Sequence, residues 1–454
     1  MIQTSTIYIN EILKAIDNRF TPKYFFVLRK LNSLERRPDI TMKKLGDITE
    51  YIISGSYIPK YSKKGTPYLR VGNIKAVELN LNSEDLVYIN ERETEIPEKI
   101  KVKQDDIIIG RTAVLGISSL VNDLSEDFII SQHLTRFRPM NIPIGYLVAF
   151  LNSRLFKEQM EIASYGITRV ELTHAQLREV KIPILKKSQM EEISNLISSA
   201  DKAHIEAINK INQSKQIFEK EIEINYQNIP DKNTYSIKAD DLTDFLTPKF
   251  YYPKYLNTLK QLKRKFNTVK LGEIADIKRG DEVGSENYKR YIEKKDSDVP
   301  FIRTSDLVNY EIDNYPDYYI DEEIYKELNQ DLKPNDILVT KDGKIGLTAM
   351  STSEDKCILA SGIARIRPVK EVDPFYLFLV LSTKIGLYQA LQRVVIASTI
   401  PHLRPERLAE IEIPLINSSK QKEISNLVKQ AFQLKSEKKK LIRKAISMVE
   451  NLLK

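Results

Sequence analysis

Glu192-Ile193-Ser194-Asn195-Leu196 occurs a second time, letter for letter, as Glu423-Ile424-Ser425-Asn426-Leu427, 231 residues further on. Matches in the same order lie upstream of both. Thr21-Pro22-Lys23-Tyr24 returns as Thr247-Pro248-Lys249-Phe250, and Lys44-Leu45-Gly46-Asp47-Ile48 as Lys270-Leu271-Gly272-Glu273-Ile274, both 226 residues on. Pro67-Tyr68-Leu69-Arg70 corresponds to Pro300-Phe301-Ile302-Arg303 at 233, so the second copy carries seven extra residues before that point. Asp106-Ile107-Ile108 aligns with Asp336-Ile337-Leu338, and Arg136-Phe137-Arg138-Pro139 with Arg365-Ile366-Arg367-Pro368. Ordered matches at nearly constant offset identify an internal duplication. The intervening loops hardly match, the pattern of one scaffold that presents two different surfaces.

Each copy reads the same way. A short helical lead-in precedes the Leu-Gly-Asp/Glu-Ile turn, followed by β-branched stretches such as Asp106–Ile109, Phe128–Arg138, Asp336–Thr340 and Cys357–Arg367. Gly110 and Gly116, and Gly343 and Gly346, punctuate the turns. A helix (145–163, 374–394), a polar loop and a short strand closed by Pro183 or Pro414 complete the unit. The fold class is α+β with a mixed, curved sheet.

Each copy ends in a different kind of segment. From Ser418, the residues Ile424, Leu427, Ala431, Leu434, Leu441, Ala445, Met448 and Leu452 recur at steps of three and four, with Lys438 interrupting the row. That spacing is a heptad stripe. The first copy offers Ile193, Leu196, Ala200, Ala203 and Ala207, then drifts to Ile211 and Phe218. Such a helix extends roughly 55 Å. Residues 188–226 carry four lysines against seven acids, and residues 418–454 ten Lys/Arg against three acids, so net charges of −3 and +7 favour pairing of the two helices with each other. An antiparallel coiled coil is expected. The boundaries are a first domain over 1–187, its helix over 188–226, a second domain over 227–417 and its helix over 418–454.

Composition bounds the function. The chain is 454 residues long, 42% hydrophobic and 29% charged, ordinary values for a globular protein. Its apolar runs fall short of membrane-spanning length. The first twenty residues interleave Glu11, Lys14, Asp17 and Arg19 and do not read as a secretory signal. Cys357 is the only cysteine, so no intrachain disulfide exists and a reducing cytoplasm is expected. A net charge of +8 makes nucleic acid the first partner to consider. There is no phosphate-binding loop, dinucleotide fingerprint or nucleophile elbow, and His133, His174, His204 and His402 form no metal-ligand spacing. Asp342 with Glu354-Asp355-Lys356 resembles a Mg²⁺-nuclease hairpin, but the first copy has Thr112 where Asp342 aligns. The chain is therefore expected to hold neither metal nor catalytic residues.

The ordered set Lys-Leu-Gly-Glu-Ile, Asp-Ile-Leu/Ile, a polar loop before Ile-Pro, and the Glu-Ile-Ser-Asn-Leu helix, all duplicated, resembles the specificity subunit of Type I restriction–modification systems. The resemblance runs from about Thr21 to the C-terminus. Leu177-Arg-Glu-Val-Lys-Ile-Pro-Ile and Leu408-Ala-Glu-Ile-Glu-Ile-Pro-Leu look like that family's exit from target-recognition domain into spacer helix. The family's Pro-Leu-Pro followed by glutamine is replaced by Pro183-Ile184-Leu185 and Pro414-Leu415-Ile416, with Gln421 kept and Met190 in the matching first-copy position. The Thr-Pro-Lys-aromatic lead-in of each copy is a further departure, with the corresponding subunit of a related phage-defence system as the alternative. The resemblance implies two tandem target-recognition domains reading the halves of a bipartite, asymmetric double-stranded DNA site. It also implies two DNA adenine methyltransferase subunits as partners, S-adenosylmethionine bound by those partners, and optionally a motor-nuclease restriction subunit. It implies no catalysis by this chain and no membrane.

Base readout needs forked donors and amides on loops that reach groove edges. The loop after the Asp-Ile strand supplies Arg111 and Thr112, and in the second copy Lys341, Asp342 and Lys344. The polar loop before the Ile-Pro strand supplies Tyr165, Thr168 and Arg169, and Ser398, Thr399, His402 and Arg404. Arg70 with Asn73, and Arg303 with Thr304, form a third set. Arg136 and Arg365 recur in register and read as structural or phosphate-facing, since shared residues cannot distinguish two half-sites. Two other readings remain: a protein scaffold that joins partners through its coiled coil, and a stand-alone Mg²⁺-dependent nuclease.

Overall fold

The computed structural model describes residues 22–62, 64–81, 86–112, 115–122, 127–164, 171–226, 234–243, 245–282, 299–369, 371–397 and 400–454. Contacts divide the chain into two compact units, Met1–Asp201 with Lys440–Lys454, and Lys202–Lys439.

In the first unit, helix α1 (Pro22–Glu35) precedes β1 (Thr41–Lys44) and β2 (Thr49–Ser54). Then come β3 (Thr66–Leu69), β4 (Val87–Ile89), β5 (Ile107–Gly110), β6 (Ser118–Leu120), β7 (Ile129–Ile130) and β8 (Leu134–Pro139). Helices α2 (Ile144–Leu151), α3 (Arg154–Ala163) and α4 (His174–Glu179) lead to β9 (Lys181–Ile184) and the long helix α5 (Lys187–Ile222), which belongs to the second unit from Lys202 on. Strands β2-β8-β5-β6 form an antiparallel sheet, β4-β3-β7 a mixed one in which β3 and β7 run parallel, and β1 pairs with β9. The run Ile107-Ile108-Ile109 is apolar and buried throughout, so β5 sits in the interior between β8 and β6. Gly145 lies so close to α5 that a Cβ there would fall 2.7 Å from the Ser194 carbonyl oxygen, so only glycine fits.

The second unit repeats this order. Helix α6 (Pro253–Lys265), β10 (Thr268–Lys270), the single turn α7 (Leu271–Ile274) and β11 (Ala275–Arg279) precede β12 (Val299–Ile302), β13 (Leu307–Val308), β14 (Glu311–Ile312) and β15 (Tyr319–Ile320). Helix α8 (Glu322–Leu328) is followed by β16 (Ile337–Thr340), β17 (Thr348–Met350), β18 (Ile358–Leu359) and β19 (Ile363–Pro368). The remainder is α9 (Pro374–Leu381), α10 (Lys384–Gln392), β20 (Val395–Ala397), β21 (Ile400–His402), α11 (Pro405–Leu408), β22 (Glu412–Pro414) and the long helix α12 (Ser418–Leu452), which belongs to the first unit from Lys440 on. Sheets β11-β19-β16-β17 and β15-β12-β18 and the pair β10-β22 reproduce those of the first unit strand for strand. Helix α9 starts at a favourable cap: Asp373 accepts from the amides of Phe375 (2.8 Å) and Tyr376 (3.1 Å), with Pro374 in the first turn. Among the described residues no single helix is long and apolar enough to cross a membrane.

The duplicated motifs turn out to be anchors. Asp106 is fully buried and takes Arg136 at 2.6 Å, the Tyr51 hydroxyl at 2.5 Å and the Lys103 amide at 2.9 Å. Burial and this carboxylate push the Tyr51 phenol up to about 12. Asp336 takes Arg367 through two nitrogens, at 2.7 and 2.6 Å, and the Lys333 amide at 2.8 Å. Arg365 reaches Asp276 instead, at 2.7 Å. Of the two roles expected for Arg136 and Arg365, the structural one is what their burial displays.

The buried row on each long helix differs from the expected stripe. On α12 one buried row runs Ile424, Val428, Ala431, Lys435, Lys438, Ile442, Ala445 and Val449, in strict steps of four and three, with Ser425, Phe432, Lys439 and Ile446 buried beside it, whereas Leu427, Leu434, Leu441 and Met448 are half-buried. On α5 Ile197 takes the place expected of Leu196, and Ile193, Ala200, Ala207, Ile211, Ser214, Phe218 and Ile222 continue the row. Counting leucines misplaced the seam by one residue because β-branched Ile197, Val428, Ile442 and Val449 fill it. Within the second unit Ala207 and Ile211 of α5 bury against Ala431, and Lys210 Nζ donates to Gln430 Oε1 at 2.8 Å. Phe218 and Ile222 share a core with Ile424 and Val428. Rising numbers on one helix thus meet falling numbers on the other.

Candidate nucleic-acid interface

Two of the loops expected to read bases are joined by the backbone in both copies. Strand β5 runs on into Arg111, whose amide donates to the His133 carbonyl (3.1 Å) and whose carbonyl accepts from Leu172 (3.0 Å). Thr112 and Glu171 then form an antiparallel bridge. In the second copy β16 runs on into Lys341, whose amide donates to the Gly362 carbonyl and whose carbonyl accepts from Leu403, both at 2.8 Å. Asp342 and His402 form the equivalent bridge.

The side chains on this common frame differ. Arg111 donates to Ser54 Oγ at 2.8 Å and pairs with Glu171. His174 Nε2 meets the same Ser54 hydroxyl at 2.6 Å. Burial holds the His174 imidazole below its ordinary value, and the Arg111 and Arg178 guanidiniums add to the effect. In the second copy Lys341 is buried and pairs with Asp342 Oδ2 at 2.6 Å, while His402 Nδ1 lies 2.8 Å from Asp342 Oδ1. Lys344 and Arg404 are exposed beside this pair in sequence.

The third set is split by burial. Asn73 is buried, its Oδ1 accepting from the Arg70 amide (2.9 Å) and its Nδ2 donating to the Asn80 carbonyl (3.1 Å), so its side chain is engaged in holding a turn. Arg70 is exposed, 5.8 Å from the Tyr61 ring centroid. Arg303 stacks 3.6 Å over the Tyr318 ring and faces Asp317 at 3.6 Å. Thr304 sits beside Gly362, where a Cβ would meet Thr304 at 2.9 Å and Asp342 at 3.7 Å. Thr304 and Asp342 therefore share one corner. Tyr165, Thr168, Arg169, Ser398 and Thr399 lie outside the described residues.

Ser54, Glu171 and His174 belong to the first cluster and escaped sequence reasoning, because no spacing rule connects them to Arg111. Tyr57 and Tyr61 were also missed. They are 67% and 47% exposed on the segment that carries Lys60 and Lys64, a basic–aromatic alternation that a composition scan of 57–64 could have found.

The model of the family described as type I restriction modification DNA specificity domain matches the chain twice, over residues 38–216 and 263–446. The chain belongs to this family. The specificity subunit is 22% identical over 441 residues to a protein of Methanocaldococcus jannaschii assigned as the MjaX specificity subunit of a type I restriction enzyme, covering 91% of this chain and 92% of that one. It is also similar to two solved structures. The type I restriction–modification S subunit of M. genitalium is 15% identical over 92% of this chain and 96% of that one, with a TM-score of 0.36. The HsdS subunit of Thermoanaerobacter tengcongensis is 15% identical over 91% and 96%, with a TM-score of 0.29.

The nuclease-like residues of the specificity subunit do not converge. Asp342 is held by His402 and Lys341, Asp355 by Lys439 at 2.6 Å, and Lys356 by Glu322 at 2.8 Å. Among the described residues Asp342 joins no cluster of three metal-ligating groups.

Proposed function

We propose that this specificity subunit binds a bipartite, asymmetric double-stranded DNA site, one half per module, and directs two adenine methyltransferase subunits to it. A motor-nuclease subunit is an optional further partner, S-adenosylmethionine is bound by the methyltransferase, and this chain contributes no catalytic group. The two long helices pair along their length as an antiparallel coiled coil that serves as the spacer, in keeping with the contacts of Ala207 and Ile211 with Ala431.

One observation carries the reading: the bridges Thr112–Glu171 and Asp342–His402 are the same backbone feature, bearing Arg111, Glu171 and His174 in one module and Lys341, Asp342 and His402 in the other. A frame kept constant under changing polar groups is what two readers of unlike sequences require. Arg111, Thr112, Arg70, Arg303, Thr304, Lys341, Asp342, Lys344, His402 and Arg404 are the described candidates for contact. The test is a genome-wide map of methylated adenines with the gene present and deleted. Loss of methylation at one split motif is expected, and an unchanged map would discard the reading.

A further inference from the structure

Strands β13 and β14 form a hairpin whose two-residue turn is Asn309–Tyr310, with φ of +47° and +68°. Successive left-handed residues suit Asn followed by Gly; a tyrosine there is strained and persists only where its surroundings hold it. At the aligned Val77 the first copy has a single positive φ, of +77°.

What holds the turn comes from both long helices. From α5, Lys215 Nζ donates to the Tyr310 hydroxyl at 3.0 Å, lies 4.4 Å from its ring centroid, and donates to the Ser382 carbonyl at 2.9 Å. From α12, Lys435 Nζ donates to the Asn309 carbonyl at 2.7 Å and to Glu311 Oε1 at 2.9 Å, and Lys438 Nζ donates to the same carboxylate oxygen at 2.6 Å. Lys439 pairs with Asp355 at 2.6 Å and lies 3.8 Å from Glu311 Oε2. Lys435, Lys438, Lys439 and Glu311 are each no more than 2% exposed.

A buried network of this kind is a weak source of stability, since desolvating each ion offsets most of the attraction. The lysines are particular to the second copy: the positions aligned with Lys435, Lys438 and Lys439 at offset 231 are His204, Ala207 and Ile208, while Glu311 aligns with Glu78. What the network supplies is registry, because charge-assisted hydrogen bonds are short and directional. Sliding the hairpin one turn along α12 would strand buried charges. One helical turn is about 5.4 Å, more than the ~3.4 Å step between base pairs.

We propose that Lys435 and Lys438, acting through Glu311 and the Asn309–Tyr310 turn, are positioning residues that fix the second recognition module along helix α12 and thereby set the half-site spacing that the subunit accepts. This inference rests on the split-site reading above.

The test uses the full chain expressed with its methyltransferase subunits, and a plasmid library in which the two half-sites are separated by the native spacer, or by one or two base pairs more or fewer. A Lys435→Met/Lys438→Met/Glu311→Gln variant removes the charges while nearly keeping volume. Wild type should prefer one spacer by about tenfold or more, and the variant should methylate neighbouring spacers within about threefold of it, with both half-site sequences unchanged. A variant that keeps the wild-type spacer preference overturns the proposal. In case the triple variant does not fold, hydrogen exchange is measured on the purified chain carrying Lys438→Met alone. Amides of 309–312 should lose protection by about tenfold while those of 337–340 hold theirs; unchanged protection at 309–312 overturns it equally. If wild type shows no split motif at all, the DNA reading has failed, and the exchange result still decides whether Lys438 holds the turn.

Discussion

In the first module the bridge between the two reading loops places Arg111 against Glu171 and Ser54; in the second it places Lys341 against Asp342, and His402 completes the pair. The backbone hydrogen bonds made by Arg111 to His133 and Leu172 correspond to those made by Lys341 to Gly362 and Leu403. The conserved-looking anchors differ more than the sequence suggests. Arg136 and Arg365 align, yet Arg136 neutralises a fully buried carboxylate, whereas Arg365 reaches Asp276, whose side chain is 52% exposed. The equivalent task in the second module falls to Arg367. After duplication, then, backbone pairing stayed fixed while ion pairs were redistributed, inside the core as well as at the loops.

The largest expected effect comes from breaking that anchor. Arg136→Ala leaves Asp106 buried with only the longer 3.3 Å contact to Arg138 and its hydroxyl and amide partners. Stranding a buried charge costs about 3–5 kcal/mol. Arg365→Ala returns the half-exposed Asp276 to water and removes a buried arginine stem, so the loss should be smaller, about 1–2 kcal/mol. Urea unfolding of the two variants measures the contrast directly. Equal losses would mean that the aligned arginines do the same work and that the redistribution is not real.

A smaller effect separates the reading loops. Arg111→Ala should weaken methylation at the split motif by roughly 10- to 100-fold and relax the preferred base at one position of one half-site, the scale of a lost base contact. Arg404→Ala should act on the other half only. Methylation mapping of both variants reads this, and a uniform loss over both halves would reassign the arginine in question to phosphate.

The architecture was legible because it rests on repetition and periodicity. The Glu-Ile-Ser-Asn-Leu pair, Asp-Ile-Ile and Leu-Gly-Asp-Ile align the copies without any tertiary information. The helix seam was only half legible. The three-and-four spacing was visible, but adjacent apolar residues such as Leu427-Val428 and Leu441-Ile442 offer two rows one residue apart, and tertiary contacts decide between them. Lys438, which looked like an interruption, is a seam residue whose charge is met by Glu311, more than a hundred residues away in the chain. Sequence patterns carry no sign of such a partner. The same limit applies to the site: Arg111 was recognisable as a donor after a strand, whereas Ser54 and His174 reach it only through folding, and Asn73 looked available until burial showed it capping a turn.

The smallest predicted effect is a pH dependence confined to the first module. Burial, with Arg111 and Arg178 nearby, holds the folded His174 below its ordinary 6.5, so the imidazole favours its neutral form against Ser54. The unfolded chain then takes up the proton first as pH falls. The stabilisation is complete above about pH 6.5 and drains away as the pH drops through the lower, folded value. The second module has Pro405 at the aligned position and cannot share this behaviour. Hydrogen exchange at pH 7.5 and 5.5, after correction for intrinsic rates, should show β2 and α4 losing protection at the lower pH, and less so in His174→Gln. The second module's β11 and β22 serve as the internal reference. Equal pH dependence in wild type and His174→Gln would show that the Ser54 contact tolerates the charged ring, and that the two modules differ at this corner in side chains alone.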